Sequence, residues 1–155
     1  MSGTIQSRLD ALSIDLPAAP APAGSYVPYV IVGDMVYVSG QISKDETGLI
    51  CGKLGDSFTL EQGQQAAHVC GVNLISQLRD ACGGDLDRVK KIVKLGGFVN
   101  ATAEFTDHPA VINGASDLMA KVFGDIGTHA RAAVGCASLP LGVAVEIEGI
   151  FQIKT

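Results

Sequence analysis

The chain contains no tryptophan, and its 155 residues include only three tyrosines and five phenylalanines. Large aromatic anchors of the kind that dominate binding interfaces are therefore scarce. Charge is scarce too. Only 17% of residues are charged, and eleven Lys and Arg stand against sixteen Asp and Glu, for a formal charge of −5. No window holds the dense basic run that releases counterions from a phosphate backbone, which argues against nucleic acid as a partner. No apolar run is long enough to span a bilayer, and the start, Met1-Ser-Gly-Thr-Ile-Gln-Ser-Arg8, lacks the plan of a secretory signal. A cytoplasmic location with no membrane partner is expected. Cys51, Cys70, Cys82 and Cys136 form no CxxC pair, so neither a zinc knuckle nor a disulfide framework is indicated. They read as reduced packing residues. GxSxG, P-loop, GxGxxG and HExxH motifs are all absent. His68 and His108 have no acid or cysteine at metal-ligand spacing, and neither a metal nor another cofactor is expected.

What the chain has in plenty is apolar surface, at 47% hydrophobic residues. Its length fits one domain with one core. So much apolar surface under so little polar cover implies a partner, most simply another copy of the chain.

Thr4 to Leu12 predicts a short helix with Ile5, Leu9 and Leu12 on one face, too short to stand alone. The prolines between Leu16 and Gly24 then predict an extended surface connector. Residues 1–23 thus precede a domain spanning 24–155. Tyr29–Val32 and Met35–Ser39, separated by Gly33-Asp34, predict a β-hairpin that continues through Gly40-Gln41-Ile42. A third strand is expected near 50–54. Thr59-Leu-Glu-Gln62 has the form of a capping box, and Ala67, Cys70, Leu74, Ile75, Leu78 and Cys82 lie on one helical stripe ended by Gly83-Gly84. Val89–Val99 predicts a long strand and Pro109–Phe123 a second main helix, while 132–136 and 143–153 predict two closing strands. The order β-β-β-α-β-α-β-β implies an α+β fold, a mixed six-stranded sheet with both helices on one face. Two helices cover only one face, so the other needs a partner.

Residues that this pattern does not require are candidates for chemistry. His129-Ala-Arg131 stands at the start of the fifth strand, and Glu146 and Glu148 share a face of the last one. If those strands pair as a hairpin about Leu139-Pro-Leu141, Arg131 and Glu146 approach across the ladder. A guanidinium oriented by a carboxylate then grips a substrate carboxylate with two hydrogen bonds. The competing reading is a surface ion pair worth little, and spacing alone favours it. Tyr26 offers a phenol to a pocket or a loop anchor, and Gly40 marks either a backbone ligand contact or an ordinary bulge.

Gly24-Ser-Tyr26, Met35-Val-Tyr-Val-Ser-Gly-Gln-Ile42, Val93–Val99, Val111-Ile-Asn113, His129-Ala-Arg131, Leu139-Pro140 and Val145-Glu-Ile-Glu148, in this order, resemble the RidA (YjgF) proteins, also called L-PSP endoribonuclease-like. Phe98-Val-Asn-Ala101 and Ser138-Leu-Pro-Leu-Gly-Val143 are similar to a branch with an N-terminal extension. The resemblance implies a chorismate-mutase-like fold in a homotrimer, with a central β-barrel and clefts between subunits. It also implies hydrolysis of enamines and imines to 2-oxo acids and ammonia. Arg131 would grip the substrate carboxylate, Glu146 would position or activate water, Tyr26 would complete the cleft from the adjacent subunit, Gly40 would offer backbone contact and Asn113 would shape the site. The chain departs from the family where the best-known members carry a cysteine two residues after the arginine; here Ala133 stands. Ser25 and Pro28 also replace the family's usual proline and glutamine. The alternatives are a binding or sensing module for small carboxylates in the same cleft, and a ribonuclease, which the acidic charge disfavours.

Overall fold

In the computed structural model, which describes residues 3–155, the β-branched run Tyr29–Val32 (β1) turns through Gly33-Asp34 into Met35–Ile42 (β2). The two strands pair antiparallel with Val32 opposite Met35. Gly33 takes φ 62°, as a two-residue hairpin turn with glycine at its first central position requires. Helix α2 (Leu60–Ala81) starts at the capping box, where Gln62 N–H donates to Thr59 Oγ1 at 3.2 Å and Thr59 N–H to Gln62 Oε1 at 2.9 Å. The strand β5 (Val89–Asn100), the helix α3 (His108–Phe123), and the strands β6 (Ala130–Cys136) and β7 (Val145–Ile153) complete the main elements.

One mixed sheet runs in the order β1-β2-β7-β5-β6, and only β5 and β6 are parallel. Helix α2 packs on β7 and β2, and α3 on β5 and β6, so both cover the same face. Leu74, Ile75, Leu78, Ile92, Leu95, Ile112, Ile147 and Phe151 are fully buried between the layers. Each contributes roughly 1.5–3 kcal/mol of burial. Glycines set the spacing here: a Cβ on Gly97 would come within 2.6 Å of the Ile112 side chain, and one on Gly114 would meet the Gln64 carbonyl oxygen of α2.

Helix α1 (Thr4–Ala11) is held by the rest of the chain rather than by its own caps. Asp87 accepts from Thr4 and Ile5 N–H, each at 3.0 Å, and Ile5 and Leu9 are buried in the common core. Leu12, expected on the same buried face, is exposed because the helix ends before it. The connector's Pro17, Pro20 and Pro22 have no amide hydrogen, but the segment lends its carbonyls. Gln77 donates to Pro20 O at 2.7 Å and Arg79 to Pro17 O at 3.0 Å.

Two expectations need correction. The sheet has five strands, not six: 44–49 form a separate hairpin of β3 (Lys44–Asp45) and β4 (Gly48–Leu49), and the strand expected near 50–54 is absent. Cys51 and Leu54 make only isolated bridges, and Gly48 and Gly55, at φ 119° and 88°, curl this segment so that Leu54 plugs the core below β5. Nor do β6 and β7 form a hairpin about Leu139-Pro-Leu141. The strand β5 lies between them, because β6 follows a helical crossover and joins the sheet in parallel at its edge.

The sheet's second face carries no helix. Val30, Val32, Tyr37 and Val134 lie on it and are exposed, Val32 at 64%. Among the described residues, no helix is long and apolar enough to cross a membrane.

Candidate active site in two halves

The bulge in β2 builds the first half. Pairing with β7 slips between Val38 and Gln41, leaving Ser39 and Gly40 out of register. The side chain of Glu146, opposite Ile42, lies over this gap, where a Cβ on Gly40 would sit 2.8 Å from Glu146 Oε2. Glycine at position 40 therefore makes room for the acid. Glu148 follows on the same face, against Gly96, whose missing Cβ would fall 3.0 Å from Glu148 Cγ. Burial, and then the charge of Glu148, push the Glu146 carboxyl above its ordinary range. Tyr26, half exposed, shares an open groove of about 310 Å³ with Tyr37, Ser39, Gly40 and Glu148, and its hydroxyl accepts from Ala23 N–H at 3.2 Å.

The second half surrounds Arg131. Its Nη1 donates to Asn113 Oδ1 at 2.7 Å and to Ser116 Oγ at 3.2 Å, both on the outer side of α3. His129 stands two residues earlier in the chain and reaches the same serine. His129 Nε2 lies 2.9 Å from Ser116 Oγ, and Nδ1 lies 2.7 Å from Gly127 O. Both hydrogens of Nη1 are thus engaged by neutral acceptors. The Nε and Nη2 edge, which matches a carboxylate side-on, has no protein partner among the described residues.

Within one chain the halves do not meet. Arg131 is opposite Leu95 and hence Gly149, whereas Glu146 is opposite Phe98 and hence Val134. The odd offset puts the two side chains on opposite faces of the sheet. Two strand spacings and three residues of rise separate their Cα atoms by roughly 14 Å. The cross-strand approach expected from a hairpin is therefore not made. Asn113 lies with Arg131, while Tyr26 and Gly40 lie with Glu146. Ala133 shares the helix-covered face with Arg131, opposite Gly97, and packs against the core.

Ser116 was not evident as a site residue, although it lies one helical turn after Asn113, a spacing that puts both on one face. Lys53 also escaped notice. Its ammonium donates to Asn100 Oδ1 at 2.7 Å and to Ala137 O, and Asn100 donates onward to Val143 O at 3.1 Å. His68 is half-buried in α2, with its basicity lowered by burial and by Lys121, and His108 meets Phe105 edge to face at 5.4 Å. Cys70 and Cys82 are buried, and Cys51 is exposed. No group of three or more His, Cys, Asp or Glu among the described residues is arranged to hold a metal.

The sequence profile of the YjgF/chorismate mutase-like endoribonuclease family matches residues 6–148. The chain belongs to the YjgF family. The crystal structure of a protein of unknown function from Agrobacterium tumefaciens superposes with TM-score 0.91 at 42% identity, covering 97% of this chain and 93% of the other. Protein TCP17 of Trypanosoma cruzi is 49% identical over 99% of this chain and 96% of its own length. A 2-iminobutanoate/2-iminopropanoate deaminase of Dermatophagoides farinae is 33% identical over 91% of this chain and 95% of its own length. The YjgF chorismate-mutase-like α+β architecture is thus the one this sequence adopts.

Proposed function

We propose that the protein hydrolyses small imines and enamines bearing a carboxylate to 2-oxo acids and ammonia, in clefts between copies of the chain. The observation that carries this reading is the division of the site. A cation with its carboxylate-binding edge presented and an acid held above its ordinary range lie on opposite faces of one sheet. Two copies packed head to tail bring the Arg131 half of one against the Glu146 half of the next. Such a heterologous contact closes into a ring when the rotation permits, and a homotrimer is the smallest such ring with more than two members. The uncovered face with Val30, Val32, Tyr37 and Val134 supplies apolar surface for the contact.

In that cleft Arg131 grips the substrate carboxylate side-on, and Asn113 holds the guanidinium in place. Water adds to the imine carbon while the Glu146 carboxylate takes its proton. That proton passes to nitrogen to give a carbinolamine; Glu146 then takes the hydroxyl proton and delivers it to the amine, and the C–N bond breaks with its electron pair leaving on ammonia as the carbonyl forms. Gly40 leaves room for the acid, and the Tyr26 phenol lines the groove beside it. Positioning and proton transfer suffice, so Ala133 in place of a thiol does not disable the step. The relative named as a 2-iminobutanoate/2-iminopropanoate deaminase supports this substrate class.

The test is ammonia release from 2-iminobutanoate generated in situ. Wild type accelerates it over buffer, and Arg131→Ala abolishes the acceleration while leaving the assembly intact on gel filtration. No acceleration by wild type would overturn the enzymatic reading. Saturable, Arg131-dependent binding of 2-oxobutanoate without turnover would replace it with a carboxylate sensor.

A further inference from the structure

Arginine at position 131 ends in a flexible side chain at an edge strand, yet side-on recognition of a carboxylate demands one orientation of its guanidinium plane. Something must hold that plane before ligand arrives. Asn113 supplies one acceptor at 2.7 Å but sits on the exposed surface of α3, where its amide is itself free to turn. The second acceptor, Ser116 Oγ at 3.2 Å, is half-buried and is fixed from behind.

The fixing follows from donor and acceptor chemistry. Gly127 O is a carbonyl and can only accept, so His129 Nδ1, 2.7 Å away, carries the proton. In the neutral imidazole Nε2 then has a lone pair and no hydrogen. The Ser116 hydroxyl must therefore donate to Nε2 across 2.9 Å, which turns an oxygen lone pair toward Arg131 Nη1. The chain of donors runs from Arg131 to Ser116, to His129, and His129 in turn donates to the backbone at Gly127. Gly127 packs closely against α3, where a Cβ would collide with the Met119 carbonyl oxygen.

We infer that Ser116 and His129 are positioning residues that lock Arg131 with its Nε and Nη2 edge facing the cleft. The inference rests on the reading of Arg131 as carboxylate anchor and adds to it the pair that orients the anchor. Neither residue touches substrate. One of the two Ser116 oxygen lone pairs meets the guanidinium and its hydrogen meets the imidazole, so the role assigned to it is to orient Arg131.

The experiment uses the full chain, with 2-oxobutanoate as the binding probe in calorimetry and in-situ 2-iminobutanoate as substrate. Ser116→Ala and His129→Ala each raise Kd and KM about tenfold, equivalent to about 1.4 kcal/mol, with kcat changed less than threefold. The double variant is no worse than either single one, since the two residues act in series. His129→Gln, whose side-chain oxygen can accept from the serine, and Ser116→Thr both recover most of the affinity. Recovery also shows that the losses are not failures to fold. If both alanine variants bind 2-oxobutanoate within twofold of wild type while Arg131→Ala does not bind, the positioning role is refuted and the anchor stands. If Arg131→Ala also binds normally, the anchor itself is wrong. A loss of kcat at constant KM in Ser116→Ala would make the serine a participant in the chemistry and overturn the inference.

Discussion

Gly40→Ala separates the role of the β2 bulge in the site from its role in the fold. Gly40 does not adopt a positive φ, so alanine is allowed by the backbone. What the new Cβ meets is the Glu146 side chain, at 2.8 Å from Oε2, 2.9 Å from Cδ and 3.1 Å from Cγ. That chain can rotate away, at about 0.5–1.5 kcal/mol if it leaves its preferred rotamer. Against this, alanine reduces the freedom of the unfolded chain by about 0.4–1 kcal/mol. The two nearly cancel, and the thermal midpoint should move by less than about 4 °C for a domain of this size. Displacing the acid by an ångström should nevertheless lower kcat about a hundredfold. Differential scanning fluorimetry and ammonia release read the two effects separately. Adding Gly40→Ala to Glu146→Gln should cost nothing more, because both act through one carboxylate. Activity within twofold of wild type would show that Glu146 does no work in the position it occupies. A midpoint lowered by more than about 10 °C would show that the clash is taken up by backbone rather than by the acid.

Gly114→Ala is the contrasting case: its Cβ meets the Gln64 backbone carbonyl, which cannot rotate away, so denaturant melts should show a loss of about 1–3 kcal/mol. Asp87 lies below the ordinary carboxylate range because Ile5 and Thr4 N–H groups bond its charged form. Its contribution is present above the unfolded-state value and lost as pH falls through the lower folded-state value, and Asp87→Ala should flatten that acid limb of the melting profile. Glu146 runs the other way. Its folded-state affinity for a proton exceeds the unfolded one, so its effect on stability worsens as pH rises through that interval, and Glu146→Gln should raise the melting point at pH 8 but not at pH 4. Glu148→Gln removes the second cause of the shift, and the acidic limb of kcat/KM should move to lower pH.

The β1–β2 hairpin, α2 and α3 were legible because each carries its own punctuation. Gly33 supplies the turn, Thr59 and Gln62 the capping box, and Pro109 and Gly124 bracket α3. Local chemistry dictates all of these. The position of β6 was not legible, since no residue in 130–136 states whether it pairs with β5 or β7, and a turn-like Leu139-Pro-Leu141 suggested the wrong neighbour. The segment 44–54 misled for a related reason. Its short apolar run looks like a strand, but Gly48 and Gly55 bend it and Leu54 is drawn under the sheet. Arg131, Glu146, Tyr26 and Gly40 are candidates because the strand and helix pattern does not require them, and Asn113 is one by resemblance, while their grouping depends on strand order and cannot be read from the sequence alone. Ser116 looked like any polar residue on a helix surface until its partners were in place.

The central claim is that an active cleft takes Arg131 from one copy and Glu146 from the next. Arg131→Ala and Glu146→Gln chains, each inactive alone, can be mixed in equal amounts, unfolded and refolded together, and assayed for ammonia release from 2-iminobutanoate. Random association into a closed ring gives each cleft one chance in two of an intact arginine and one in two of an intact acid, so about one quarter of wild-type activity should return. If Arg131 and Glu146 serve from the same chain, every cleft lacks one of them and the mixture stays as inactive as its parts.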